Sequence, residues 1–202
     1  MNLANYFTLL RLVISPIFLL VYLEPDWFGL NSQWLPYALL ALLGISELSD
    51  FFDGFFARKF NQVTELGKIL DPMADSISHI SMFLAFTQDP IRLPIWTVFI
   101  FMYRDFVVST LRTACALRGY TLAARISGKI KAGVQASAIL IITLLLIPAA
   151  SGEITQSTLQ LFATVIVALA AIYTLYSGFD YVFANRFYIY RLLKQPKKAS
   201  DS

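Results

Sequence analysis

The sequence predicts an all-α integral membrane protein built on six transmembrane helices, and three observations carry that reading. Hydrophobic residues make up 57% of the chain and charged ones only 14%, with a mean hydropathy of +0.64, well outside the range of soluble domains. The apolar residues fall into six runs, each near the roughly 20 residues that cross a ~30 Å hydrocarbon core. Between them lie segments rich in Pro, Gly or polar clusters, which end helices. With 202 residues consumed in this way, residues 1–202 form a single transmembrane unit without room for a separate soluble domain.

The first run covers about residues 6–23. It opens on "NLANYFTLLR" in place of a cationic stretch, and no small-x-small cleavage site follows, so it is expected to be a retained helix and not a signal peptide. After "EPDWFGLNSQW" a second helix is predicted at about 34–57, and after "RKFNQVTE" a third at about 66–87. "TQDPIRLP" precedes a fourth at about 93–117, "RGYTLAARISG" a fifth at about 129–150, and "PAASGEIT" a sixth at about 154–183. A basic tail, 186–202, completes the chain. There is no internal repeat or low-complexity tract. Cys115 is the single cysteine, which excludes an intramolecular disulfide and reads as a small buried helix residue.

Basic residues set the orientation, because Lys and Arg accumulate on the cytoplasmic side. Arg58 and Lys59 lie in the second connection, Arg118 and Arg125 in the fourth with Lys129 and Lys131 just beyond, and Arg186, Arg191, Lys194, Lys197 and Lys198 in the tail. The odd-numbered connections carry Glu24, Asp26, Asp89 and Glu153 against the lone Arg92. Both termini are therefore expected in the cytoplasm. The tail reads as a topology signal resting on anionic lipid.

On this topology Asp50 and Asp53 fall in the last turns of the second helix, and Asp71 and Asp75 in the first turns of the third. Their spacings, i, i+3 and i, i+4, put each pair on one helix face. Four carboxylates aimed into one space repel unless a cation sits among them. Oxygen donors favour Mg²⁺, Mn²⁺ or Ca²⁺, and two such ions about 4 Å apart would suit phosphoryl transfer. Gly54, Ala57 and Gly67 keep bulk away at one-turn spacing from the acids. Arg58 offers a planar fork suited to phosphate, and Thr64 a hydroxyl in the connecting loop.

Asp50, Asp53, Gly54, Ala57, Arg58, Gly67, Asp71 and Asp75 fit the spacing D-x2-D-G-x2-A-R-x8-G-x3-D-x3-D, which resembles the signature of the CDP-alcohol phosphatidyltransferases. At roughly one in twenty per position, a chance match of eight is on the order of 10⁻¹⁰ for any one register. The resemblance implies a six-helix membrane enzyme, usually a homodimer, that exchanges the CMP of a CDP-linked lipid for an alcohol at the cytoplasmic face of the cell (inner) membrane. It implies that Asp50, Asp53, Asp71 and Asp75 hold two divalent ions, Mg²⁺ or Mn²⁺, and that Asp75 is the general base. It further implies that Gly54, Arg58 and Thr64 contact the CDP group of CDP-diacylglycerol while Ala57 and Gly67 leave space for it. No nucleic-acid partner is expected. In the first helix, Asn5, Thr8 and Arg11 share a polar stripe, and family members place a similar Asn and Thr near the nucleotide. From the residues alone, Asn5 reads equally as a helix cap.

The acceptor is sought in the second half. "YRDFVVSTLR" carries Arg104, Asp105 and Arg112, and "SGKIKAGVQ" carries Lys129 and Lys131. Asp105 and Arg112, seven apart on one face, suggest an internal ion pair, while surplus cations beside a metal site suit an acceptor with its own phosphate. These runs look like the glycerol-phosphate branch of the family. The expected acceptor is thus glycerol 3-phosphate, giving phosphatidylglycerophosphate, with Arg112, Lys129 and Lys131 on the acceptor phosphate and Arg104 and Arg118 behind them. That branch commonly has Lys after the last acid, where this chain has Ser76; inositol phosphate, serine or an amino alcohol stay open. His79, one turn beyond Asp75, reads as a hydrogen-bonded interior histidine or as a group that tunes the base. A cation transporter using interfacial carboxylates is the competing class, against which stands the clustering of the acids at one interface without a broken mid-membrane helix. An inactive adaptor would be expected to have lost one of the acids.

Overall fold

The computed structural model describes residues 3–59, 65–120, 122 and 125–194; at residues 3–5, 51, 53–59, 65–70, 192 and 193 only the backbone is described. Six long helices appear where the apolar runs predict them: α1 (Leu3–Leu23), α2 (Leu35–Lys59), α3 (Glu65–Ala85), α4 (Ile95–Ala116), α5 (Ile126–Ala150) and α6 (Gln156–Ala184). A seventh, α7 (Arg186–Lys194), occupies the start of the segment expected as a basic tail.

Local chemistry fixes most of the ends. A 3₁₀ turn at Pro25–Phe28 closes on Gly29, whose φ of 65° lets its N–H reach the Asp26 carbonyl. The Asn31 side chain then accepts from the Gln33 and Trp34 amides at 3.1 and 3.0 Å and launches α2. Pro94 stands in extended conformation just before α4 and cannot continue an earlier helix. Thr155 caps α6 by accepting from the Thr158 amide. The fifth helix starts earlier than the apolar run implied, at Ile126. Its first turn is pinned to α6, because Arg125 Nε and Ser127 Oγ both donate to Asp180 Oδ2, at 2.8 and 2.5 Å.

α1 packs between α2 and α3, α5 lies against α6 and α2, and α4 against α6 and α3. Phe18, Phe83, Phe86 and Phe101 are fully enclosed in the core. Phe83 and Phe101 meet at 4.6 Å between ring centroids, joining α3 to α4, and Phe18 meets Phe86 edge-on at 6.0 Å. The outer surface is apolar as well: on α6, Leu161, Leu169 and Ile172 stand about two-thirds exposed (64% each), which suits lipid contact. Among the described residues, α1 (over Tyr6–Leu23), α5 and α6 are long and apolar enough to cross a membrane.

Most charged groups lie toward the two ends of the bundle. At one end the Tyr22 hydroxyl donates to the Gln88 carbonyl, and Gln156 and Gln160 donate to the Pro90 carbonyl. There Arg92 donates to Asp89 at 2.9 Å and holds that carboxyl below its ordinary range. At the other end gather the start of α1, the end of α2, the start of α3, the second half of α4, the start of α5 and the end of α6.

Candidate active site

Three helices meet at a small cavity of about 10 Å³ lined by Arg11 of α1, Ser46, Glu47 and Asp50 of α2, and Asp75, Ser78 and His79 of α3. That is room for about one water-sized occupant. Arg11 is almost entirely buried, and its Nη1 pairs with Asp50 Oδ1. One turn earlier on α1, Thr8 Oγ1 donates to Asp71 Oδ1 at 2.9 Å. The polar stripe of α1 thus meets one acid from α2 and one from α3. Ser46 and Ser78 hydroxyls lie 3.3 Å apart across the same seam.

His79 is buried beside Asp75, with Nε2 3.6 Å from Glu47 Oε1 and Nδ1 3.8 Å from Asp75 Oδ1. It therefore sits between carboxylates of two helices, next to the residue expected as base. Several members of this site, Arg11, Ser46, Glu47 and Ser78, were not among the expected ligands. Arg11 was visible only as a polar position, and Glu47 not at all. The available signal for Glu47 was its place one turn before Asp50, inside an apolar run where a charge is costly unless used.

Of the residues expected on the metals and the nucleotide, Asp50 and Asp75 line this cavity, and Thr8 is hydrogen-bonded to Asp71 one turn before Asp75. The side chains of Asn5, Asp53, Ala57 and Arg58, the surroundings of Gly54 and Gly67, and the whole of Thr64 lie outside what the structure describes. Among the described residues no three His, Cys, Asp or Glu side chains stand close enough to hold a metal ion. The donor chemistry nonetheless suits a hard divalent cation, since the acids offer oxygen alone. The positive charge beside Asp50 comes from Arg11.

A second polar cluster lies on α4, α5 and α6. Asp105 accepts from Lys131 Nζ at both carboxylate oxygens (3.0 and 2.9 Å), from Arg104 Nη1 at 2.9 Å and from Ser76 Oγ at 2.9 Å. Arg104 Nη2 donates to Ser177 Oγ of α6 at 2.7 Å. Asp105 does form an internal ion pair, but with Lys131 and Arg104 and not with Arg112. Seven helical residues span about 10 Å along the axis, beyond an aspartate's reach. Arg112 Nε is buried without a hydrogen-bond partner. Arg118 and Lys129 are exposed. Two of the five cations expected at the acceptor phosphate are thus already held by Asp105. Ser76, the residue after the last acid, is what joins this cluster to the α3 turn that carries Asp75.

The family model described as CDP-alcohol phosphatidyltransferase matches residues 1–178. Among the relatives is a Bacillus subtilis protein named CDP-diacylglycerol--glycerol-3-phosphate 3-phosphatidyltransferase, 35% identical over 190 residues, covering 91% of this chain and 95% of its own. A Mycobacterium tuberculosis protein named as a probable phosphatidylglycerophosphate synthase is 35% identical over 183 residues, 90% of this chain and 80% of its own. A Rickettsia bellii protein with the same name as the Bacillus one is 31% identical over 189 residues, 93% of this chain and 97% of its own.

Proposed function

The chain belongs to the CDP-alcohol phosphatidyltransferase family, and we propose that it transfers the phosphatidyl group of CDP-diacylglycerol to glycerol 3-phosphate. The products are CMP and phosphatidylglycerophosphate, which makes the chain a transferase of phospholipid biosynthesis. The observation that carries the acceptor is the cationic cluster of Arg104 and Lys131, joined by Ser76 to the Asp75 turn. It holds two positive charges against the one carboxylate of Asp105, a surplus that suits an acceptor bearing its own phosphate. The relatives named for glycerol 3-phosphate support the same choice. Ser76, which departs from the branch pattern, is accommodated here because its hydroxyl is used by Asp105.

In the reaction, Asp75 takes the proton of the acceptor hydroxyl. The acceptor oxygen bonds to the lipid-proximal phosphorus, and the bond from that phosphorus to the bridging oxygen breaks, so the oxygen leaves with CMP. Asp50, Asp53, Asp71 and Asp75 would hold two divalent cations, Mg²⁺ or Mn²⁺, which when bound would supply neutralising charge to the pyrophosphate. Thr8 orients Asp71, and Arg11 keeps Asp50 turned toward the cavity. All six long helices cross the cell membrane in this reading, with both termini and the site at the cytoplasmic face, in a homodimer. A lipid donor and a water-soluble acceptor meet at that interface.

The test is an acceptor screen with purified protein, CDP-diacylglycerol and Mg²⁺ or Mn²⁺. CMP release is expected with glycerol 3-phosphate and not with inositol phosphate, serine or choline. Release with serine alone would sink the phosphate-pocket argument. Asp50→Asn is expected to abolish release while leaving the protein folded; an unchanged rate would remove the metal assignment.

A further inference from the structure

An acceptor that carries a phosphate at one end and the attacking hydroxyl at the other needs its cations and its base at a fixed separation. Three carbons join those two groups in glycerol 3-phosphate, so a shift of about 1 Å between the two halves of the site misplaces the nucleophile. The base is on α3 and the cations are on α4 and α5, with no covalent connection near the site. Something must set their spacing.

Resting on the acceptor proposed above, we propose that Asp105 is the positioning residue that sets it. Asp105 is 8% exposed and accepts hydrogen bonds from three helices: Ser76 of α3, Arg104 of its own helix and Lys131 of α5. Ser76 follows Asp75 directly, so the Ser76 hydroxyl transmits the position of the cations to the turn that carries the base. Arg104 extends the frame to a fourth helix through Ser177. The guanidinium stem is also gripped by small residues: a Cβ at Gly178 would lie 3.1 Å from Arg104 Cγ, and one at Gly128 3.5 Å from Nη2. Satisfied by these donors, Asp105 is rigid. The cluster is not neutralised, because one positive charge remains and Arg104 Nε is buried without a partner. Asp105 itself does not touch the substrate; it acts through Arg104 and Lys131.

A purely structural role would weaken the whole protein and both substrates together, whereas a positioning role is felt by the acceptor alone. The experiment measures KM for glycerol 3-phosphate and for CDP-diacylglycerol, with kcat, in wild type, Asp105→Asn, Ser76→Ala and Ser76→Thr. Asp105→Asn and Ser76→Ala are expected to raise the KM for glycerol 3-phosphate about tenfold and leave that for CDP-diacylglycerol within about twofold. Ser76→Thr, which keeps the hydroxyl, is expected to match wild type. Should Asp105→Asn fail to fold, Ser76→Ala decides, since it removes one neutral donor and no charge. Wild-type KM for glycerol 3-phosphate in Ser76→Ala, or equal change for both substrates, overturns the inference. A wild type that releases no CMP with glycerol 3-phosphate overturns the acceptor assignment first, and the inference with it.

Discussion

Thr8 Oγ1 donates to Asp71 Oδ1 at 2.9 Å, so a hydroxyl on the first helix orients an acid on the third. Thr8 is itself buried, which leaves water little chance to replace it. Groups that orient metal-binding carboxylates typically contribute about 10- to 100-fold in metal affinity. Thr8→Val keeps the shape and removes the donor. It is expected to raise the Mg²⁺ needed for half-maximal CMP release about tenfold, with the rate at saturating metal little changed. Thr8→Ser should restore the wild-type titration. Identical Mg²⁺ curves for Thr8→Val and wild type would show that the hydroxyl does not serve the metals.

Arg11 pairs with Asp50 and places a positive charge beside it. Its guanidinium is buried while the Asp50 side chain is 55% exposed, so breaking the pair costs less than the ~3–5 kcal/mol of a fully enclosed one. Arg11→Met is expected to lower the melting temperature most in chelator. Added Mg²⁺ should raise the variant more than wild type, because the ion replaces the missing charge. Equal Mg²⁺ stabilisation of the two proteins would contradict this.

These two relationships show where sequence reading reaches and where it stops. The six long helices were legible because apolar runs alternate with Pro, Gly and polar breakers, although among the described residues only α1, α5 and α6 have the length and hydropathy of a membrane span. That Asp50 and Asp75 line one cavity was legible because one short connection joins their helices. The partner of Asp105 was not, since Lys131 lies 26 residues away on another helix and periodicity relates only residues of the same helix. Glu47 was not legible because it stands as a single charge in an apolar run, without the paired spacing that marks the aspartates. α7 escaped because it is short and polar, with none of the apolar length that marked the others.

Gly178 tests the packing around Arg104. A Cβ there would lie 3.1 Å from Arg104 Cγ, tighter than ordinary contact, and that stem cannot swing aside while Asp105 and Ser177 hold the guanidinium. Gly178→Ala is therefore expected to destabilise the protein by about 1–3 kcal/mol, as overpacking does, despite the gain in helix propensity. Gly44 is the control: nothing lies within 4 Å of a Cβ there. Gly44→Ala is expected to be neutral or stabilising by up to about 1 kcal/mol. Denaturation of both variants in the same detergent checks the signs, and a stable Gly178→Ala would mean that Arg104 has room to move.

α7 is the element whose surroundings the sequence described better than its structure. Each of three cations near it rests on a ring about one turn earlier: Arg186 on Phe183 at 4.4 Å, Arg191 on Phe187 at 4.2 Å and Lys194 on Tyr190 at 4.5 Å. Tyr188 meets Tyr120 at 5.6 Å and keeps the helix against the end of α4. Phe187 and Tyr190 remain exposed, so the free face pairs aromatic rings with positive charge, the composition of an interfacial helix. Anionic lipid attracts such cations by about 1 kcal/mol each near the surface. In nanodiscs containing phosphatidylglycerol, α7 amides are expected to exchange more slowly than in phosphatidylcholine alone, with a smaller difference at high salt. The combined variant Arg186→Gln, Arg191→Gln and Lys194→Gln should erase that difference while leaving α4 exchange unchanged. Equal exchange of wild-type α7 in both lipids would show that its contacts with α4 and α6 hold it without help from the bilayer.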